Sequence, residues 1–139
     1  MTAARPRPVP DEQSKPYWDA AARHVLMAAR CSRCDKLSLP PDVVCAHCGT
    51  SEPRFVFTPL SGRATVRSWT VVRQSFLPGF ADELPFVLVD VELAEQPELR
   101  LIGRLLDGVG SPLHVGDNVD VGFEDVEPGV SIPAFILRP

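Results

Sequence analysis

The chain has 139 residues, a formal net charge of −4 and 45% hydrophobic residues, which fits one domain of ordinary globular composition. Fifteen prolines, against a usual ~5% of residues, disfavour a mostly helical protein and favour short strands joined by turns. No apolar run approaches the ~20 residues that cross a bilayer, and the N-terminus lacks a signal-peptide core, so we expect a cytoplasmic protein without membrane segments.

A tail and one helix are predicted first. Residues 1–13 are expected to form a flexible tail, because the prolines within them bar a helix. Residues 14–29 are expected to form the helix, with Ser14 as N-cap and Pro16 in the first turn, where its missing N–H costs nothing. Apolar side chains recur there at three-to-four spacing and form one stripe: Trp18, Ala21, Ala22, Val25 and Leu26.

Four cysteines follow as two Cys-x-x-Cys knuckles, Cys31 with Cys34 and Cys45 with Cys48, within a predicted ribbon of residues 30–52. Four thiolates suit a tetrahedral Zn²⁺ and leave no position for substrate or water, so the zinc would be structural. A rubredoxin-like iron site has similar spacing and remains an alternative. A thioredoxin-type redox pair is disfavoured, because neither knuckle lies in a βαβ pattern.

Residues 53–139 are predicted to form a small antiparallel barrel. Five short runs alternate apolar and polar residues and are separated by turn residues. Their expected spans are residues 63–73, 86–93, 99–106, 118–125 and 131–137. The strand count fits a five-stranded OB-type barrel and also an SH3-like barrel.

The sequence contains no recognisable catalytic motif of a nucleophilic hydrolase, a metalloprotease or a phosphate-binding loop. None of the three histidines lies in such a motif, and His47, inside the second knuckle, is interpreted as a bystander. Asp90 and Glu92 project from one strand face. Such a pair of carboxylates is more often a solvated surface than a catalytic pair. Catalysis by this chain alone is therefore not expected.

Several basic and aromatic residues favour binding instead. The candidates for contact with a ligand or partner are Arg63, Arg67, Trp69, Arg73, Phe76 and Phe80. Strand alternation predicts that Arg67, Trp69 and Arg73 share a face, and arginine suits bidentate phosphate recognition. The two phenylalanines lie in the following loop, where contact with a ligand and folding back onto the core are both compatible with the sequence.

Charge is unevenly distributed. Residues 1–73 carry eleven basic and six acidic side chains, whereas residues 74–139 carry three and twelve. This split indicates a partner or an anionic ligand near the first half, with a solvated surface as the alternative. Single-stranded nucleic acid would fit the basic and aromatic strand, but the acidic barrel opposes a polyanion, so nucleic acid is not an expected partner.

Motifs along residues 16–138 together resemble a known family. They are Pro16-Tyr17-Trp18, Arg30-Cys31-Ser32-Arg33-Cys34, Leu39-Pro40-Pro41, Val44-Cys45-Ala46-His47-Cys48-Gly49, Leu60-Ser61-Gly62-Arg63-Ala64-Thr65-Val66, Ser68-Trp69-Thr70, the run from Pro85 to Leu93, and Val115-Gly116-Asp117-Asn118-Val119. This combination resembles the "domain of unknown function 35" (DUF35) proteins. The resemblance implies a mainly β fold: an N-terminal helix, a four-cysteine zinc ribbon and a five-stranded OB-fold barrel.

The same resemblance implies a role in acyl-CoA metabolism. Similar domains form a complex with a thiolase-like retro-aldolase that cleaves steroid side-chain acyl-CoA thioesters, and the aldolase carries the catalytic residues. We therefore expect an accessory subunit of such a lyase, in a heterotetramer, with structural Zn²⁺ on the four cysteines and a CoA thioester at the partner interface. The tail resembles the connector of members fused to an acyl-CoA hydratase domain. A freestanding acyl-CoA-binding module for a thiolase or synthase is one alternative, and a single-stranded nucleic-acid-binding zinc-ribbon/OB protein is the other.

Overall fold

The structure is a computed structural model that describes residues 4–139, so the first three residues of the predicted tail lie outside it. A helix, a three-stranded sheet and a closed five-stranded barrel follow one another along the chain. The elements are α1 (Lys15–Ala22), β1 (Met27–Arg30), β2 (Leu37–Ser38), β3 (Val56–Pro59), β4 (Arg63–Val72), β5 (Phe86–Leu93), β6 (Arg100–Leu105), β7 (Asn118–Glu127) and β8 (Val130–Leu137). The predicted fold class is confirmed.

The helix is shorter than predicted. It ends at Ala22, and His24 adopts a positive φ of 60° that turns the chain away from the helix axis. Residues predicted to continue the helix to position 29 instead form β1, the central strand of the sheet β2-β1-β3. Ala28 and Ala29 are fully buried there. The helix propensity of alanine is weak beside the gain from pairing and burial between two strands.

The helix entry also differs in detail. Ser14 is the N-cap residue, but its hydroxyl makes no bond to the helix N–H groups. It accepts instead from the Asp11 N–H at 3.0 Å, while the Ser14 N–H donates to the Asp11 carboxylate at 2.7 Å. A reciprocal turn of Asp11 and Ser14 therefore starts the helix, and Pro16 lies in its first turn as expected.

The ribbon sheet extends beyond its predicted limit at residue 52. Strand β3, which falls in the segment predicted as barrel, pairs antiparallel with β1 from Met27 opposite Pro59 to Arg30 opposite Val56. Leu26, Ala28 and Leu37 join the same cluster of buried side chains as the barrel interior. The ribbon and the barrel thus share one apolar core.

The barrel closes in the order β4-β5-β6-β8-β7, with β7 pairing back onto β4. The pair β6 with β8 is parallel and the others are antiparallel. Phe135 lies fully buried in the interior. A Cβ at Gly103 would lie 2.8 Å from its ring, so glycine is required where the ring meets β6.

A bulge in β4 changes which residues share a face. The register with β5 shifts between Val66 and Ser68, leaving Arg67 as the extra residue. Beyond the bulge Ser68 lies opposite Asp90, and Trp69 lies opposite the buried Val89. One extra residue exchanges inward and outward positions along the rest of the strand.

Candidate metal centre and contact surfaces

The two cysteine knuckles have the same local geometry. The N–H of Arg33 donates to Cys31 Sγ, and that of His47 donates to Cys45 Sγ, both at 3.4 Å. The residue after each second cysteine, Asp35 or Gly49, adopts a positive φ of 64° or 78°. This left-handed residue lets the chain curl back after each knuckle, which turns both pairs of sulfurs toward a common point.

The four sulfurs converge. Their Sγ atoms all lie within 4.8 Å of one another, with 3.9 Å between Cys31 and Cys48 and 3.7 Å between Cys34 and Cys45. A tetrahedral site with Zn–S bonds of about 2.3 Å separates its sulfurs by about 3.8 Å. The predicted ligand set is therefore assembled with the spacing that a four-thiolate metal site requires.

Local electrostatics act unequally on the four thiols. Although the Lys36 backbone N–H acts to lower it, burial and hydrogen bonds with the other three sulfurs raise the pKa of the Cys34 thiol to about 12. The backbone N–H groups of Cys48 and His47 lower the pKa of the Cys45 thiol to about 6. A thiolate is the form that binds metal, so this ligand is ready at neutral pH. The fit to Zn²⁺ rests on sulfur spacing, N–H donors and thiolate character together, and it leaves no coordination position for chemistry.

A side-chain contact with the backbone links the ribbon to the barrel, and the sequence contains no local signal for it. The Gln96 side chain, in the turn between β5 and β6, accepts from the Leu37 N–H at 2.8 Å and donates to the Leu37 carbonyl at 2.9 Å. His47 Nε2 also donates to that carbonyl, at 3.0 Å. His47 therefore holds β2 in place, in keeping with its interpretation as a bystander to the metal.

The arginines of β4 do not form one surface. Arg67, displaced by the bulge, pairs with Glu92 at 3.0 Å, while Trp69 is 41% exposed on the other side of the strand. Arg63 and Arg73 lie at opposite ends of the strand, ~30 Å apart at the usual rise per residue. The predicted shared face of Arg67, Trp69 and Arg73 is thus broken by the bulge, and ligand contact by these residues stays a prediction.

The two phenylalanines of the 73–85 loop behave differently. Phe76 is 91% exposed, whereas Phe80 packs on Phe86 of β5 with ring centroids 6.0 Å apart. Phe80 therefore folds back onto β5, whereas Phe76 stays in solvent, and ligand contact by either ring stays a prediction.

Ion pairs explain part of the charge split and the carboxylate pair. Asp90 pairs with Arg100, and Glu92 with Arg67, so both carboxylates face guanidinium groups. Other pairs join the basic first half to the acidic second half: Arg5 with Glu83 and Glu124, Arg7 with Glu127, and His24 with Asp125. The two halves thus neutralise one another in part, without an external ligand.

The profile of the rubredoxin-like zinc ribbon domain of ChsH2 matches residues 18–54, and that of the ChsH2 C-terminal OB-fold domain matches residues 57–124. Together these matches cover most of the chain. The chain belongs to the ChsH2-type DUF35 family. Its fold class is that of the family, and its four clustered cysteines all lie within the zinc-ribbon match.

Two solved structures resemble the chain. One, "Ltp2-ChsH2(DUF35) aldolase", matches 94% of this chain and 98% of its own at a TM-score of 0.80 and 27% identity. The other, a DUF35 protein of unknown function from Sulfolobus solfataricus, matches 91% and 86% at a TM-score of 0.59 and 13% identity, which supports the fold alone.

A curated relative is longer. The "Probable enoyl-CoA hydratase alpha subunit" of Thermomonospora curvata is 30% identical over 133 residues, which are 96% of this chain and 40% of that protein. The chain thus spans two-fifths of the length of this relative. Separately, no helix within residues 4–139 is long and apolar enough to cross a membrane.

Proposed function

We propose that this chain is a non-catalytic accessory subunit or domain of a thiolase-like retro-aldolase. Such an enzyme cleaves a C–C bond in the acyl group of an acyl-CoA thioester. The observation that carries the proposal is the match to the DUF35 chain of an aldolase, over nearly the full length of both chains. A domain that reproduces an entire component of a complex is expected to contact the same class of partner through an equivalent surface.

The ionisable groups support an accessory role. A retro-aldol cleavage needs a base within hydrogen-bond reach of the β-hydroxyl group. Among residues 4–139, the carboxylates Glu83, Asp90, Glu92 and Glu124 are each paired with an arginine and so take part in ion pairs of the barrel. The thiolates are committed to a closed metal site. The base is therefore assigned to the partner enzyme.

The finer parts of the proposal concern substrate and cofactor. The substrate class is a steroid side-chain acyl-CoA, the assembly is a heterotetramer, and the metal is structural Zn²⁺. Arg63 and Arg73 are exposed and have no carboxylate partner within the described part of the chain. Because they lie at opposite ends of β4, either one, but not both, is available for the phosphates of one CoA at the interface. Four reduced thiols fit the cytoplasm as the site of action.

Co-expression with a thiolase-like partner tests the role directly. We expect one stable complex by size-exclusion chromatography, and aldolase activity that is lost when this chain is left out. Elution of the chain as a monomer, with unchanged activity of the partner alone, would contradict the proposal.

Arginine variants test the CoA contact within that complex. Arg73→Ala should raise the KM for the acyl-CoA, because a guanidinium–phosphate contact is lost. Lys36→Ala, an exposed cation on the ribbon, is the matched control and should leave the KM unchanged. Equal kinetics for both variants would remove Arg73 from the site.

A second candidate is a domain that serves an acyl-CoA hydratase, and the match to the Thermomonospora curvata protein favours it. Hydration activity would then require this domain together with a hydratase partner. Assaying the purified complex with an enoyl-CoA and with a β-hydroxyacyl-CoA separates the candidates, since hydration and C–C cleavage give different products.

A further inference from the structure

The N-terminal segment is seated on the barrel rather than lying apart from it. The Arg5 side chain is 22% exposed, and its Nη2 lies 3.0 Å from the Glu124 carboxylate on β7. Its Nη1 lies 3.5 Å from Glu83, and its Cζ lies 4.9 Å from the centre of the Phe80 ring. A guanidinium therefore meets two carboxylates and one aromatic face, which is a recognition geometry for arginine.

The site that holds this segment, here called the seat, consists of Gly79, Phe80, Glu83, Glu124 and Glu127. Arg104 Nη1 contacts Glu83 at 2.8 Å, and Arg104 Nε lies 3.6 Å from Glu124. Its Cζ also lies 4.9 Å from the ring of Phe86, which packs against Phe80. Arg104 thus positions both carboxylates, and the two acidic groups still exceed the one basic group, so the seat attracts a second cation.

The loop beside the seat accommodates an extended backbone. Gly79 has a φ of +86°, and a Cβ there would lie 2.4 Å from the Arg5 nitrogen and 2.6 Å from its Cα. The two backbones touch at a point that only glycine permits. The absence of a side chain at Gly79 therefore leaves room for the backbone that carries the guanidinium.

The barrel also contacts a second arginine, two residues further along the segment. Arg7 pairs with Glu127 at the end of β7, and Pro6 and Pro8 on either side restrict the segment to an extended conformation. The recognised unit is thus an extended Arg-Pro-Arg sequence that is held at two acidic positions of the barrel edge.

The seat is not fully satisfied by this occupant. Arg5 Nε and Glu83 Oε2 are buried without a hydrogen-bond partner within residues 4–139. The cleft beside Arg5 measures about 410 Å³ and continues past Leu77 and Ile102, both exposed apolar side chains. The Glu83 Oε2 atom and the apolar side chains of Leu77 and Ile102 are therefore still available to a longer or better-fitting segment.

We propose that the seat (Gly79, Phe80, Glu83, Glu124 and Glu127) is a binding site for an extended, arginine-bearing segment of a partner protein, occupied in cis by residues 5–7. The chain's own segment competes with the partner segment for the site. The cis segment has a high effective concentration, so a partner must supply further contacts along the cleft to displace it.

The test uses the full chain and a fluorescent peptide with the sequence of residues 4–10. The Arg5→Ala/Arg7→Ala double variant empties the seat, and fluorescence anisotropy should detect peptide binding to it that weakens as salt rises. The wild-type chain should bind the peptide at least about tenfold more weakly, because its own segment fills the site. A peptide with both arginines changed to alanine is the ligand control.

Two further variants, made in the double-variant background, keep the test specific. Glu124→Gln should weaken peptide binding about tenfold, since it removes the negative charge that lies 3.0 Å from Arg5 Nη2. Asp82→Asn, an exposed carboxylate next to Glu83, is the matched control and should not change it. If Glu124→Gln does not fold, Phe80→Leu removes the cation–π contact and should also weaken binding. Equal peptide binding by the wild-type and double-variant chains, or binding indifferent to Glu124 and Phe80, would overturn the proposal.

Discussion

The metal ribbon and the barrel are stabilised in different ways, although they share a core. In the barrel, β5 alone buries every second side chain along its length: Val87, Val89, Val91 and Leu93. In the ribbon, β1 has four residues and β2 has two, and the buried residues include two of the cysteines themselves. So small a unit cannot bury enough apolar surface to fold on that basis alone.

This difference predicts which kind of change destabilises each region. The barrel should tolerate metal loss and respond to truncation of its apolar side chains. The ribbon should respond to metal loss first, because in such units metal binding supplies the folding free energy. The contacts between them decide how far damage in one region reaches the other.

The largest effect is expected from removing a metal ligand. Cys45→Ser should abolish stoichiometric zinc and unfold the ribbon, because binding to such sites contributes about 10–16 kcal/mol at neutral pH. Metal analysis and hydrogen exchange over residues 27–52 measure the two effects, while the amides of β5 should stay protected.

His47→Ala is the matched control for that experiment. It lies between the ligands of the second knuckle, yet its ring contacts Leu37 and not the metal position. It should retain one zinc per chain. Full zinc occupancy in Cys45→Ser, or loss of β5 protection with the metal, would contradict the division between the two regions.

A smaller but still large effect is expected inside the barrel. Phe135→Ala removes a fully buried ring and should lower the free energy of unfolding by about 3–5 kcal/mol, through lost burial and a cavity. Urea unfolding measures it, and zinc content should not change. Phe76→Ala, at an exposed ring of the same type, should shift stability by less than about 0.5 kcal/mol.

The link between the regions is expected to contribute less. Gln96→Ala leaves the Leu37 N–H without its partner and should cost about 1–3 kcal/mol. Ribbon and barrel probes should then unfold at different urea concentrations, whereas Gln74→Ala, at an exposed loop residue, should leave the two transitions coincident. Coincident transitions in Gln96→Ala would mean that the shared core alone couples the regions.

The smallest effect at neutral pH is expected from Tyr17, which packs from α1 against the shared core. Burial raises the pKa of its phenol from 10.0 to about 12. A raised pKa in the folded state means that its contribution to stability is complete below pH 10 and is lost as the pH rises through 12. Tyr17 is the chain's single tyrosine, so an absorbance titration reports it alone; a midpoint near 10 in the folded protein would refute the packing.

Sequence reasoning predicts the features that depend on the spacing of residues close together in the chain. The run Phe86–Leu93 alternates so regularly that its strand bounds agree with the structure, and the cysteine spacing predicts the assembled sulfurs. The features it misses depend on distant residues. The bulge at Arg67 arises from pairing with β5, and the early end of α1 arises from pairing of β1 with β2 and β3. The seat of Arg5 on Glu83 and Glu124 joins residues far apart in the chain.

Closure of the barrel has a consequence for self-association. A strand at the margin of a sheet offers unpaired N–H and C=O groups, which template the addition of further chains. The five barrel strands close on one another and offer no such margin, whereas β2 and β3 both lie at the margins of the ribbon sheet. Any aggregation of metal-depleted protein should therefore nucleate on the ribbon strands, with the barrel carried along intact.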